Sequence, residues 1–361
     1  MTEALLQAAR GGDELAFERL VQPHRRELHA HAYRMLASVH DTEDALQDAL
    51  LRAWRGLPRF DGRSSLRAWL YKITTNTCLD VIGRRQKRVL PLDMPAAELG
   101  EAPGRPLIES VWVEPYPDDV LGLEDGFASP EASVELRESV ELAFVAALQH
   151  LPANQRAALI LREVLGFSAQ ETADTLDTTV ASVNSALQRA RKTIDERLPQ
   201  RSQQQSLRTL GDARLREIVE NYMDAMQRGD VEAVVAMLAE DAAWSMPPLA
   251  TWYSGSESLR SFLTIGPLSG AWRWSRIVTT ASGQPTVAAY TWRADENCFR
   301  PFALDVLTIG DSGVITDITS FIARSAEPVD AERFARYPDE AVDDAMATAL
   351  FAHFGLPARV D

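Results

Sequence analysis

The chain is poor in the side chains that staple, ligate or titrate. Its 361 residues hold two cysteines, Cys78 and Cys298, far apart and without metal-like spacing, which argues against a disulfide framework or a zinc site. The six histidines sit at 24, 29, 31, 40, 150 and 353, so none falls between the last two. Lysine occurs only at 72, 87 and 192, and arginine carries most of the positive charge. No window is apolar over the roughly 18 residues a membrane span needs, and Met1-Thr2-Glu3 opens no signal peptide, so a cytoplasmic protein without membrane partners is expected. Apolar content of 46% with 25% charged residues is globular, and the length allows two or three domains.

A net charge of −15 argues against a nucleic-acid partner until its distribution is read. From Arg52 to Arg88 ten Arg/Lys stand against Asp61 and Asp80, whereas Pro91 to Glu141 holds thirteen acids against Arg105 and Arg137. Local sign decides what touches DNA.

The chain is organised around Leu151 to Leu198. Pro152 suits a first helical turn, Leu159, Ile160 and Leu165 share one face, and Gly166 breaks the pattern. Ser168 with Glu171 has capping-box spacing, and the short helix it opens meets the polar turn Asp177-Thr178-Thr179. A last helix starts near Val180 and carries Arg189, Arg191 and Lys192. This is a helix-turn-helix layout, although an ordinary helical hairpin has the same pattern. The string LPANQRAALILREVLGFSAQETADTL followed by VASVNSALQRAR resembles region 4 of bacterial extracytoplasmic-function (ECF) sigma factors. That resemblance implies −35 promoter recognition, with Thr179, Ser182, Asn184, Ser185, Gln188, Arg189, Arg191 and Lys192 as candidate DNA contacts. Asn184-Ser185-Ala186 stands where relatives often show Lys-Ser-Arg. Asn184 can pair with adenine, and the basic residues after it suit phosphates.

Upstream, Asp41 is expected to cap DTEDALQDALLRAWRGL, with Ala45, Leu46, Ala49, Leu50 and Trp54 as one stripe. The other side bears Glu43, Asp44, Gln47 and Asp48, by itself a solvated face. The segment resembles sigma region 2.2, which implies docking of Asp41 and these four residues on the β′ clamp helices of RNA polymerase core. PRFDGRSSLRAWLYKITTNTCLDVIGRRQKR reads as a loop, then a helix from Leu66 to Arg85, and resembles regions 2.3 and 2.4. The implied −10 contacts are Arg63, Ser64, Ser65, Arg67, Asn76, Asp80, Arg84, Arg85, Lys87 and Arg88. Trp54 and Trp69 could stack on bases but fit core packing better.

Residues 91–130 hold seven prolines and read as an acidic linker. Within it VWVEPYPDD is too apolar for a pure tether. It resembles a signature of ECF sigma factors with an extra C-terminal domain, making Trp112, Pro115, Tyr116, Pro117 and Asp118 a candidate docking segment. A helix is expected over Glu131–His150, and Arg201 to Ser206 reads as a polar linker. From Ala213 helices precede strand-like runs at 243–246, 272–280, 286–293, 302–309 and 314–322. This segment resembles the SnoaL-like branch of the NTF2-like α+β cones. Trp244, Trp252, Tyr253, Trp274, Tyr290 and Asp305 are candidate pocket residues. No acid–base pair can be assembled there, so a regulatory domain is favoured over a catalyst. A tail helix is expected from Pro338 to Gly355.

The expected protein is multidomain. Two all-α sigma domains, a region 2 helical bundle (5–90) and a region 4 helix-turn-helix (131–200), flank the linker (91–130), and an α+β NTF2-like cone (212–325) and a tail (326–361) follow. Its implied partners are RNA polymerase core, through the β′ clamp helices and β flap, and promoter DNA, with an anti-sigma factor or a small ligand for the cone. No metal or cofactor is expected. A helix-turn-helix regulator binding duplex DNA alone, and a DNA-binding protein fused to a SnoaL-like enzyme, are the alternatives.

Overall fold

A computed structural model describes residues 2–101, 112–121, 137–199, 201–322 and 344–361. The described residues divide into two compact units. The first takes those within Met1–Arg88, Val120–Gly122 and Leu142–Pro199, and the second those within Val89–Asp119, Leu123–Glu141 and Gln200–Asp361.

In the first unit α1 (Thr2–Arg10), α2 (Glu14–Val21), α3 (Arg25–Leu36), α4 (Val39–Gly56) and α5 (Leu66–Ile82) come first. Ser38, not Asp41, caps α4: its hydroxyl accepts the Asp41 N–H at 3.2 Å. Buried Ala45, Leu46, Ala49 and Ala53 then fall at helical spacing along α4, which leaves Glu43, Asp44, Gln47 and Asp48 exposed. Ser65 caps α5 by accepting the Ala68 N–H at 3.1 Å. The helix ends at Ile82, three residues short of the expected Arg85, with Gly83, a residue that favours the coil, as its C-cap. Arg84 to Arg88 therefore lie beyond it.

Among the described residues of this unit, α6 (Leu142–Gln149), α7 (Ala153–Leu159, followed by a π-helical stretch at Ile160–Val164), α8 (Ala169–Thr175) and α9 (Val180–Asp195) follow. Of the helix expected over Glu131–His150, residues 131–136 lie outside the described residues, and the α-helix itself spans Leu142–Gln149. The Ser168–Glu171 capping box forms in both directions, at 3.1 and 2.8 Å. The two helical groups share a core. Leu28, Leu70 and Tyr71 pack with Leu161 and Phe167, while Met35 and Cys78 pack with Leu148 and Ile160.

The second unit begins its C-terminal part with α10 (Gln203–Leu210), where the sequence reads as a linker. Ser202 caps it by accepting the Gln205 N–H at 3.2 Å, and the Glu141 carboxylate accepts the N–H groups of Gln203 and Gln204 at 3.2 and 2.8 Å. A carboxylate at a helix N-terminus answers its unpaired donors and its dipole. Next come α11 (Asp212–Arg228), α12 (Val231–Ala236), β1 (Leu238–Ser245), β2 (Trp252–Ser254) and α13 (Ser256–Ile265). β3 (Trp274–Ala281), β4 (Gln284–Arg293), β5 (Cys298–Ile309), β6 (Ile315–Ile322) and α14 (Asp344–His353) follow. Neither β2 nor α13 is foreseen by the sequence reading. Of the expected tail helix, residues 338–343 lie outside the described residues. The sheet order is β2-β1-β6-β5-β4-β3, antiparallel except for β1 beside β6. α11 lays Leu215, Ile218, Val219, Tyr222 and Met226 into the core formed with the sheet. No helix among the described residues is long and apolar enough to cross a membrane.

Candidate functional site

The outer side of α4 borders an open groove of about 870 Å³ lined by Phe17, Leu46, Leu50, Leu51 and Trp54, with Glu43, Gln47 and Val120. Leu51 is 47% exposed, an apolar side chain kept at the surface beside acids and amides. Asp41 does not join this face. Its side chain is buried and paired with Arg85 and with Arg88 Nη2, the latter at 2.6 Å. A buried carboxylate needs such partners, so the position serves to anchor the segment after α5.

Several other cations of the basic stretch are engaged within this unit. Arg52 meets Asp80 at 2.9 Å and Arg63 meets Asp61 at 2.8 Å. Arg67 pairs with Glu27 at 2.9 Å, and its guanidinium lies 4.9 Å from the Tyr71 ring centre and 5.1 Å from that of Phe167. Lys72 donates to Asp177 at 2.6 Å and to the Asp174 carbonyl at 2.7 Å. Ser64, Arg84 and Lys87 are exposed and Asn76 is half-buried. Ser65 is exposed and holds the α5 cap. Trp54 and Trp69 pack edgewise or tilted on Phe17 and Phe60, with ring centres 5.1 and 5.0 Å apart.

Along α9, Val183, Leu187, Ala190 and Ile194 turn inward, while Ser182, Asn184, Ser185, Gln188, Arg189, Arg191 and Lys192 are exposed. Thr179 is the N-cap, accepting the Ser182 N–H at 3.1 Å. Arg191 reaches Glu163 at 2.5 Å, and Lys192 lies 3.9 Å from Glu196. The first two turns thus present amide and hydroxyl groups together.

The linker is built into the second unit. Its first part follows the edge strand β2: the Ala97 N–H donates to the Trp252 carbonyl at 2.8 Å, and Trp252 Nε1 donates to the Met94 carbonyl at 2.8 Å. The Tyr253 hydroxyl donates to the Glu101 carbonyl at 2.9 Å. The PYPD segment grips the turn between β3 and β4. Tyr116 N–H donates to Ser282 Oγ at 3.0 Å, and Ser282 N–H returns a bond to the Tyr116 carbonyl at 2.7 Å. Pro117 bridges Ala281, and Asp118 Oδ1 accepts the Gly283 N–H at 2.8 Å. Trp112, Pro115, Tyr116, Pro117 and Asp118 are all buried. Gly283 has φ +70°, and a Cβ there would lie 3.2 Å from Arg137 and Gln204 atoms, so only glycine fits. Burial pushes the Asp118 carboxyl up to about 6 against the pull of the Gly283 N–H and of Arg137, whose guanidinium is 3.9 Å away. Burial likewise raises Glu141 to about 7.

The cone encloses a cavity of about 270 Å³ whose wall includes Trp244, Trp274, Arg276, Phe302, Asp305 and Ser320. Strand alternation explains this set: Trp274 and Arg276 share a face of β3, as Ala303 and Asp305 share one of β5. Asp305 Oδ1 accepts from Ser320 Oγ at 2.6 Å and Oδ2 from the Tyr222 hydroxyl at 3.3 Å, while Trp244 Nε1 donates to Ser320 Oγ at 2.9 Å. Burial raises the Asp305 carboxyl above its ordinary value and lowers the Arg276 guanidinium. Three expected pocket residues are elsewhere. Tyr290 pairs with Ser275, on the opposite sheet face from Arg276, and packs against Phe351 of α14 with ring centres 5.1 Å apart. Trp252 and Tyr253 serve the linker and, for Tyr253, a stack on Phe262 at 4.5 Å. Arg276, Tyr222 and Ser320 were missed by the sequence reading; the i, i+2 spacing from Trp274 could have flagged Arg276. Among the described residues no group of three or more His, Cys, Asp or Glu could hold a metal ion.

Three family profiles match the chain: Sigma-70 region 2 over residues 20–88, Sigma-70, region 4 over 141–194, and SnoaL-like domain over 219–318. The ECF RNA polymerase sigma factor SigG of Mycobacterium tuberculosis is 38% identical over 318 residues, spanning 86% of this chain and 82% of SigG. The chain belongs to the ECF RNA polymerase sigma factor family. SigM of the same species is 32% identical over 187 residues, 52% of this sigma factor and 79% of SigM. The crystal structure of M. tuberculosis SigJ, 23% identical, shares the fold with a TM-score of 0.52, over 88% of this chain and 97% of SigJ. The candidate DNA-contacting residues of this sigma factor fall within the two Sigma-70 matches, and Arg276 and Asp305 within the SnoaL-like match. The linker lies outside all three.

Proposed function

We propose that this sigma factor binds RNA polymerase core, directs promoter-specific initiation, and is controlled in cis by its cone through the docked linker. The observation that carries the sigma reading is the pairing of two surfaces in one chain. One is an acidic and amide face beside an apolar groove on α4. The other is a helix-turn-helix whose second helix presents Asn184, Ser185, Gln188 and Arg189 to solvent. Glu43, Asp44, Gln47 and Asp48 flank the groove that would receive the polymerase clamp helices, and Asp41 is withdrawn from that set by its burial. Arg63, Ser64, Ser65, Asn76, Arg84 and Lys87 are the −10 candidates on or near the surface. Of these Arg63 is paired with Asp61 and Lys87 with His150, and Arg67, Asp80, Arg85 and Arg88 likewise reach DNA only by giving up present partners.

The shared core has a consequence for promoter binding. Elements about 25 base pairs apart lie about 85 Å apart at about 3.4 Å per pair. A compact unit of about 150 residues has a radius of gyration of about 15 Å. Reading both elements therefore requires regions 2 and 4 to part, breaking the Lys72–Asp177 and Arg67–Phe167 contacts. The linker joins these regions, and its docking on the cone takes up the slack that parting requires. The cone acts as a binding module, not a catalyst, in this reading, because both Asp305 oxygens are engaged by Ser320 and Tyr222 and no histidine falls within 212–325.

Run-off transcription with bacterial core polymerase on a pool of genomic upstream fragments tests this. Discrete transcripts that require the protein are expected, and Gly283→Ala, which forces the β3–β4 turn off Arg137, should change their yield. Site-specific duplex binding without core binding or transcripts would favour the stand-alone regulator. Transcripts indifferent to Gly283→Ala would remove the linker from the mechanism.

A further inference from the structure

The cone's cavity holds a cation with unanswered donors. Arg276 lines it, and its Nε and Nη1 are buried without a hydrogen-bond partner. The carboxylate that attracts it, Asp305, has its oxygens bound to Ser320 and Tyr222 instead. Buried guanidinium donors left unpaired are costly, and native proteins rarely retain them without a purpose. The remaining wall is aromatic and flat-sided. Trp272 stacks on Trp274 at 5.0 Å, Phe302 meets both edgewise at 5.5 and 5.0 Å, and the guanidinium lies 5.3 Å from the Trp274 ring centre.

Unanswered guanidinium N–H donors beside aromatic faces select an anionic oxygen acceptor attached to an apolar body. The volume of about 270 Å³ is at the small end of ligand pockets and suits a single ring. We propose that the cone binds a small monocyclic carboxylic acid, its carboxylate on Arg276 and its ring among Trp272, Trp274 and Phe302. A phosphate is disfavoured, since one cation opposed by Asp305 cannot balance its second charge and the aromatic walls cannot replace its hydration. A neutral amide would leave the guanidinium charge unanswered. This inference goes beyond the regulatory reading, and holds or fails whether or not the cone controls the sigma regions.

Benzoate titrated calorimetrically into the full-length protein is the probe, with benzyl alcohol as its neutral counterpart. Saturable binding of benzoate with a Kd of about 1 mM or tighter is expected, with benzyl alcohol weaker. Arg276→Met keeps the length of the side chain and removes the cation beside buried Asp305, whose oxygens stay on Ser320 and Tyr222, so a folded protein with a lowered melting temperature is expected. It should weaken benzoate at least roughly tenfold and leave benzyl alcohol unaffected. If Arg276→Met fails to fold, Arg276→Lys replaces it. Loss of the guanidinium and its stacking on Trp274 should then weaken benzoate several-fold, again sparing benzyl alcohol. Absence of saturable benzoate binding, or equal benzoate affinity in the Arg276 variant, would overturn the proposal. Loss of the ligand with protein-dependent transcripts intact would leave the sigma function standing.

Discussion

The recognition helix and the linker are both polar on paper, and they meet opposite fates. Along α9 every second-turn amide and hydroxyl stays in water above a narrow apolar seam. The linker, rich in acids and proline, sinks Trp112, Tyr116, Pro117 and Asp118 against the cone. Its polar backbone is answered by Ser282 and Gly283, and its aromatic residues supply the burial that offsets ordering the chain. Composition therefore says how much charge a segment carries, and a few apolar residues say where it goes.

The largest effect that would break this contrast is at Tyr116, whose side chain is fully buried. Tyr116→Ala should destabilise the second unit by about 3 kcal/mol and leave the first unit's melting transition in place. A common loss in both transitions, seen by calorimetry, would mean the linker is not a part of the cone. On the other side of the comparison, Asn184→Ala should cost about 1–3 kcal/mol of discrimination at one −35 base pair. Arg189→Ala should instead weaken promoter binding across all sequences and lower the salt slope by about 1. Binding curves on a randomised −35 element at several salt concentrations separate the two.

A smaller effect concerns pH. Asp118 at about 6 and Glu141 at about 7 are raised above ordinary values of 3.8 and 4.5, so the folded second unit holds more protons than the unfolded chain in that window. Stability of this unit should rise as pH falls from about 7.5 toward 5, because protonation removes an unfavourable buried charge. Thermal melts across that range should show the slope, and Asp118→Asn should flatten its lower part. The smallest change is Lys72→Ala, which removes a half-exposed tie between α5 and the helix-turn-helix and should cost about 0.5 kcal/mol or less. A much larger loss would make the regions' association electrostatic instead of the work of Leu70, Tyr71 and Phe167.

Legibility followed the same division. The helix-turn-helix could be read because its signals are local: Ser168 with Glu171, the Asp177 turn, and Val183, Leu187 and Ala190 at helical spacing. The strands of the cone could be read from alternation, but β2 could not, since three residues give no period. Asp41 was misplaced because its partners Arg85 and Arg88 lie more than forty positions away, and pattern alone cannot tell a solvated acid from a paired one. Tyr290 was misassigned for a related reason: an aromatic residue in a strand has two faces to choose from, and α14 covers the second. Arg276 carries no sequence signal of its own beyond its place two residues from Trp274, which puts it on the inner face.

The lacing of the linker into the cone bears on how such a chain can be inherited. A lineage that lost residues 201–361 in one step would leave Val113 and Tyr116, now fully buried, bare in the middle of a protein that must stay dispersed. A lineage that gained a cone without the PYPD segment would carry a β3–β4 turn with nothing to hold. Segment and cone are therefore expected to be acquired and discarded together, so that the short signature between the two sigma regions reports on a turn 165 residues downstream.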